Sequence, residues 1–307
     1  PEFGPADPHH VIMASGEPEQ LTLEVPAGTL GALAWGDPSS PLILAFHGWL
    51  DNAASFSRLG PALAGSYRVV AVDLPGHGFS FHRPAGASYE LLDYVRDLAP
   101  LFDREAAEGA VVLGHSLGGI IASLLSVAVP ERVRALMLVD SLGPLTGDAD
   151  SFPDQLKRAI DRVRRGSRGQ PSRYADLEEA IEARMNGRIP LSRAAAECIV
   201  PRSLQQDQTG WQWGTDARLR YPSMHRLEED EVAAYLGAIA VPTLLIRASR
   251  GMAAFKPEWI GHRLPALADC EVMDVDGSHH CHLDADVGGL AEGCLGWLRR
   301  ITTAPLQ

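Results

Sequence analysis

Val111-Val112-Leu113-Gly114-His115-Ser116-Leu117-Gly118-Gly119 is an apolar run that stops at a glycine, sets one serine between two glycines and continues into Ile120-Ile121-Ala122-Ser123-Leu124-Leu125. Gly-x-Ser-x-Gly between a strand-like and a helix-like run is the pattern of a nucleophile elbow, a sharp strained turn from which a serine hydroxyl projects. Small residues two before and two after the serine let strand and helix backbones approach closely. The N–H of Leu117 opens the helix and points to where negative charge would develop on a reacting group.

Working outward, 41–46 (Pro-Leu-Ile-Leu-Ala-Phe), 67–72, 133–139 and 241–246 are short continuous apolar runs, the mark of strands buried on both faces. Residues 270–275 read as a last strand, and 21–25 with 30–35 as an N-terminal hairpin around Pro26-Ala27-Gly28. Helical spacing runs through 56–64, 88–104 with Ser88 as N-cap, 257–267 and 287–301. Alternating β and α units with buried-type strands predict an α/β chain with a mostly parallel central sheet covered by helices. Between 141 and about 230 the composition turns to Arg, Glu, Gln and Ser, with helical stretches at 155–165, 177–186 and 192–200 and no evident strand. This reads as a helical insertion after the sixth strand. The expected division is a tail at 1–20, a core of 21–142 plus 231–307, and a cap at 143–230. Pro1-Glu2-Phe3 reads as a cloning remnant, and Met13 as a candidate native start.

Composition narrows the class. The chain has 307 residues and a net charge of −12, which argues against a nucleic-acid partner. No run is long and apolar enough to span a bilayer, and the N-terminus does not read as a secretory signal. The basic cluster of Lys157, Arg158, Arg162, Arg164, Arg165 and Arg168 reads as a solvated helix face. Cys198, Cys270, Cys281 and Cys294 are irregularly spaced, so reduced thiols and a cytoplasmic location are expected. No apolar surface pattern marks an oligomer interface.

A serine hydroxyl is a poor nucleophile until a base takes its proton, so Ser116 requires a histidine at the carboxyl edge of the sheet. His47 and His115 end strands, but His115 adjoins the serine inside the turn and should point elsewhere. His77 lies in a Pro-Gly loop. His279, His280 and His282 follow the last strand, and a base late in the chain matches the order serine, acid, histidine. His279, directly after Asp276-Gly277-Ser278, is preferred over His280. His-His-Cys-His at 279–282 is a poor metal site, because adjacent ligands in one short loop rarely complete a closed shell. Neither a metal nor a cofactor is expected. The N–H of Trp49, in His47-Gly48-Trp49 after a strand, could aim into the same site as that of Leu117.

Phe46-His47-Gly48-Trp49, Asp73-Leu74-Pro75-Gly76-His77-Gly78-Phe79-Ser80, Gly114-His115-Ser116-Leu117-Gly118 and Gly277-Ser278-His279 follow one another in an order that resembles the α/β-hydrolase fold family. Phe46-His47-Gly48-Trp49-Leu50-Asp51-Asn52 and Asp140-Ser141-Leu142-Gly143-Pro144 are similar, more narrowly, to its serine hydrolase-like group. The resemblance implies Ser116 as nucleophile, His279 as base, the Trp49 and Leu117 N–H groups as oxyanion hole, and 141–230 as a cap over the pocket. Members of the family usually carry the triad acid in the loop after the strand read at 243–246. Here that loop is Arg247-Ala248-Ser249-Arg250-Gly251-Met252-Ala253-Ala254, with Gly251 at the aligned position. Asp140, at the end of the preceding strand, is the natural substitute, since any well-placed carboxylate can orient the imidazole.

The expected activity is hydrolysis of a small-molecule carboxylic ester or thioester through an acyl-enzyme, with His47, His115, Trp211 and Trp213 as pocket-lining candidates and an apolar substrate. Serine-based cleavage of C–C or amide bonds and a catalytically weak ligand-binding relative remain alternatives.

Overall fold

The computed structural model describes residues 17–166, 172–187, 189–208, 210–252, 256–284 and 286–303. The strands are β1 (Glu19–Val25), β2 (Gly28–Trp35), β3 (Leu42–Phe46), β4 (Arg68–Val72), β5 (Ala110–His115), β6 (Val133–Val139), β7 (Arg173–Tyr174), β8 (Leu204–Asp207), β9 (Gly210–Trp213), β10 (Thr243–Arg250) and β11 (Cys270–Ser278). Eight of them form one sheet in the order β1-β2-β4-β3-β5-β6-β10-β11. β1 pairs antiparallel with β2, and β2 with β4. Every other neighbouring pair is parallel.

Strand alternation explains why the central runs are apolar throughout. Leu44, Phe46, Val112 and Leu138 face one layer, while Ile43, Ala45, Leu113 and Met137 face the other. The first layer holds α2 (Leu91–Glu105) and α3 (Leu117–Ala128), through Leu98, Phe102, Ile121 and Leu125. The second takes Leu59 and Leu63 of α1 (Leu59–Leu63) and Cys294, Trp297 and Leu298 of the closing helix (Gly288–Thr303). Both faces are covered, as a parallel sheet requires. The N-terminus of α2 differs from expectation. Glu90 is its N-cap, forming a capping box with Asp93, and Ser88 lies outside the helix.

Between β6 and β10 lie α4 (Phe152–Arg165), α5 (Leu177–Met185), α6 (Arg193–Ser203) and α7 (Glu229–Gly237). The segment is mostly helical, as its composition suggested, but the expectation that it holds no strand is corrected. β7, β9 and β8 form a small antiparallel sheet within it. These strands have two to four residues each, too short for a period-two signal. On α4, Arg164 and Arg165 are 77% and 60% exposed, in keeping with a solvated face, whereas Arg168 lies outside the described residues.

A buried ion pair ties α6 to the end of β4. Arg202 of α6 donates from Nη2 to Asp73 Oδ2 at 2.7 Å and from Nε to the same oxygen at 3.0 Å. Asp73, just past β4, also accepts the N–H groups of Ala53 and Phe79. A Cβ at Gly78 would lie 2.3 Å from the Asp73 carboxyl carbon, and its φ is +48°, so only glycine suits this turn. Removing one partner of a buried pair leaves an uncompensated charge. Arg202→Ala is therefore expected to lower the unfolding free energy by about 3–5 kcal/mol in urea titrations. A loss well under 1 kcal/mol would show that Asp73 regains water there.

Candidate active site

β5 delivers Ser116 into a turn at φ 51° and ψ −115°, a region L-residues rarely occupy. Close packing holds it there. A Cβ on Gly118 would lie 2.0 Å from the Phe46 carbonyl oxygen, and one on Gly114 would lie 2.4 Å from the Gly118 oxygen. Ser116 N–H donates to the Val139 carbonyl at 3.2 Å, and the Ser141 hydroxyl donates to the Ser116 carbonyl at 2.7 Å. Ser141 thus buttresses the turn from behind, a role the sequence reading did not assign.

The strand register brings the acid to the same edge. His115 pairs with Val139, and Val139 with Ile246, so Asp140 sits one step past both neighbours. Asp140 has a φ of 45° and is buried. Its Oδ2 accepts from His279 Nδ1 at 2.6 Å and from the Met252 N–H at 2.6 Å. With Nδ1 donating, Nε2 of His279 is the basic nitrogen. A Cβ at Gly251 would lie 2.2 Å from Asp140 Oδ2. The carboxylate of residue 140 therefore occupies the volume that a side chain at 251 would need.

Trp49 and Leu117 carry the two candidate oxyanion donors, and neither N–H has a partner among the described residues. Two histidines set the Trp49 loop. Leu74 N–H donates to His47 Nε2 at 2.9 Å, and His47 Nδ1 donates to the Gly48 carbonyl at 2.7 Å. Leu50, itself at φ 64°, donates its N–H to His77 Nε2 at 3.2 Å. Burial pushes His47 down to about 4 and His77 down to about 3. Both rings are neutral braces whose lone pairs accept from backbone.

A cluster of buried histidines lies behind the candidate base. His115 donates Nε2–H to the His279 carbonyl at 2.8 Å, and its ring centroid lies 4.6 Å from that of His279. Asp51 bridges two segments, taking Arg184 of α5 on Oδ1 at 2.9 Å and His280 Nε2 on Oδ2 at 3.0 Å. Burial opposes its ionisation, but His280 and Arg184 outweigh that and hold the carboxyl far below its usual range. Donor atoms of Asp51, His115 and His280 all lie within 4.8 Å of one another, so this set is where a metal ion would be sought. It does not fit one, because both Asp51 oxygens are already engaged and Arg184 supplies the positive charge there. Burial also holds His115 and His282 well below the ordinary histidine value.

Ser116, Leu117, Trp49, Asp140 and His279 line one cavity of about 820 Å³. Its walls include Ile120, Leu142, Leu219, Met224, Trp259 and Ile260. The other four pocket candidates are placed elsewhere. His47 and His115 are fully buried beneath the strand ends, held by the bonds just described. Trp211 and Trp213 pack on a separate apolar cluster around Ile199 and Val200, with Trp213 Nε1 donating to the Tyr174 hydroxyl at 2.9 Å. Apolar area drives those rings against α6, whereas Leu219, Met224 and Trp259 supply the walls.

A family model described as the alpha/beta hydrolase fold matches residues 41–170. Serine hydrolase-like protein 2 of Homo sapiens is 31% identical over 78% of this chain and 77% of its own length. The crystal structure of a hypothetical protein from Pseudomonas aeruginosa is 40% identical, with a TM-score of 0.86 over 92% of this chain and all of that one. A thioesterase domain from the curacin biosynthetic pathway is 26% identical, with a TM-score of 0.77 over 91% of this chain and all of that one. The chain belongs to the α/β-hydrolase family, in its serine hydrolase-like group. Among the described residues, no helix is long and apolar enough to cross a membrane.

Two expectations follow from this geometry. Gly251→Ala forces Asp140 off His279 Nδ1, and hydrolytic turnover should fall at least about tenfold through kcat. Full turnover in that variant would show that the Asp140 contact is dispensable. Four buried neutral histidines also make the fold acid-sensitive. The unfolded chain takes up protons near pH 6.5, while His47 and His77 resist until about 4 and about 3. Stability is therefore complete above about pH 6.5 and declines as pH falls below it, by up to about 1.4 kcal/mol per pH unit for each such group. Urea midpoints at about pH 7.5 and about pH 5 test this, and equal midpoints would contradict it.

Proposed function

We propose that this chain is a serine hydrolase that cleaves a carboxylic ester or thioester through an acyl-enzyme. The observation that carries the reading is the contact of His279 Nδ1 with Asp140 at 2.6 Å, on the wall of an apolar cavity that also holds Ser116. With Nδ1 committed to Asp140, Nε2 takes the Ser116 proton as Oγ attacks the carbonyl carbon. The Trp49 and Leu117 N–H groups stabilise the oxyanion, and His279 then protonates the leaving alcohol or thiol. Water, deprotonated by the same imidazole, attacks the acyl-serine. The carboxylic acid leaves and the serine is restored.

Residues 143–230 act as the cap of this site, over a core of 21–142 and 231–307. Leu219 and Met224 from that segment support this, since both wall the cavity. The substrate is a small molecule whose acyl part is apolar. The four cysteines are free thiols, which fits a reducing compartment such as the cytoplasm.

Intact mass after treatment with a fluorophosphonate tests the nucleophile. One adduct is expected, absent in Ser116→Ala, and no adduct on the unmodified chain would sink the reading. Asp140→Asn should retain the fold and lower ester turnover by about 10⁴-fold, because the imidazole loses its tautomer. Near-normal turnover in that variant would reassign the acid.

A further inference from the structure

The walls of the cavity carry an unusual charge balance. Four cationic side chains line it (Arg220, Arg226, Arg247 and Lys256), against two carboxylates, Glu90 and Asp140. The whole chain runs the other way, with 27 Lys and Arg to 39 Asp and Glu. Chance placement on so acidic a protein would favour acids at the opening.

Counter-ions remove part of this charge and leave the rest. Arg247 forms a two-point pair with Asp274, and Lys256 lies 3.6 Å from Glu258. Neither Arg220 nor Arg226 forms an ion pair with a carboxylate among the described residues, and Arg220 has Tyr174 as its charged neighbour only when that phenol ionises. The two acids of the lining are occupied. Asp140 is held by His279 and Met252, and Glu90 caps α2 and accepts the Met224 N–H. Burial raises the Glu90 carboxyl, against the Met224 N–H, which lowers it.

A second element lies behind that wall without lining the cavity itself. α4 packs along the segment that carries Arg220 and Arg226. Arg162 stacks on Tyr221 at 5.0 Å, Phe152 meets His225 at 5.7 Å, and Gln155 donates to the Ser223 carbonyl. α4 contributes Lys157, Arg158, Arg162, Arg164 and Arg165 against Asp154 and Asp161. An apolar chamber beside a net cationic rim suits a ligand with an apolar acyl end and a multiply anionic other end. Guanidinium groups bind phosphate oxygens with paired hydrogen bonds.

Resting on the ester or thioester reading above, we propose that the substrate is an acyl thioester of a phosphorylated thiol, its acyl chain in the apolar cavity and its phosphates against Arg220 and Arg226. Ser116 Oγ forms a bond to the acyl carbon as the C–S bond breaks, and the thiolate takes the proton from His279. Water then forms the carboxyl C–O bond as the acyl–serine bond breaks, giving one carboxylic acid and one phosphorylated thiol. No redox partner is needed.

The test compares two thioesters of the same acyl group, octanoyl-coenzyme A and octanoyl-N-acetylcysteamine, which differ in the charged carrier. The unmodified chain should show a KM for the charged thioester at least about tenfold below that for the neutral one at low salt, with the difference collapsing near 0.5 M salt. In Arg220→Gln/Arg226→Gln, the ratio of kcat/KM for charged over neutral substrate should fall by about tenfold or more, through KM. A ratio compares two substrates on one preparation, so partial loss of folded protein cancels. Equal KM values in the unmodified chain, or an unchanged ratio in the double variant, overturn the carrier proposal. If the neutral thioester is still cleaved in a Ser116-dependent way, the hydrolase reading survives that result. If neither thioester is cleaved although the fluorophosphonate labels Ser116, thioester substrates are excluded and the carrier proposal falls with them.

Discussion

Three backbone segments meet where Gly118 faces the end of β3, and the rest of the site depends on that contact. The missing side chain lets the first turn of α3 approach the Phe46 carbonyl to a distance that no Cβ could share. The same approach sets Leu117 and Trp49 on one cavity wall and forces Ser116 into its positive φ. Strain of this kind costs on the order of 1–3 kcal/mol and persists only where the surroundings over-determine it. Here the surroundings are a parallel sheet buried on both faces and the Ser141 hydroxyl bonded to the serine carbonyl.

The acid shows how one volume can be filled from either of two strands. β6 and β10 are neighbours in register, so side chains from the ends of both can reach His279 Nδ1. In this chain the side chain comes from Asp140, and Gly251 leaves the space open. The Asp140 backbone adopts a left-handed conformation, which aspartate tolerates better than most residues. Met252 N–H adds a second bond to the same oxygen, so the carboxylate is fixed before any substrate arrives.

Electrostatics joins the inserted segment to the core at two buried points. Arg184 meets Asp51, and Arg202 meets Asp73, each on a carboxylate just beyond the carboxyl end of a central strand. Buried pairs of this sort contribute little net stability but are costly to break, so they define where α5 and α6 sit. Asp51 also holds His280, the residue next to the candidate base. The position of α5 is thereby linked to the loop that carries His279. Burial holds the surrounding rings of His47, His77, His115 and His282 below the ordinary histidine value.

What the sequence determined by itself was local. Apolar runs of strand length, helical spacing and the Gly-x-Ser-x-Gly turn depend on neighbours a few residues apart, so the parallel sheet and the strand–turn–helix at Ser116 were legible, and Trp49 and Leu117 could be named as candidate donors. His279 was a candidate from its place after the last strand, and Asp140 became its candidate partner only because the loop at Gly251 lacked a carboxylate; the fold brings the two into contact. Tertiary structure decided the rest, because it turns on pairings between segments that are not neighbours along the chain. It turned His47 and His115 into buried braces and put Trp211 and Trp213 on their own cluster. It also paired two arginines with Asp51 and Asp73 and made strands of 173–174, 204–207 and 210–213, whose brevity carries no periodic signal. Hydrogen bonds and ion pairs between distant segments leave no mark on local composition, and so only the folded chain reveals which polar residues hold the site and which face it.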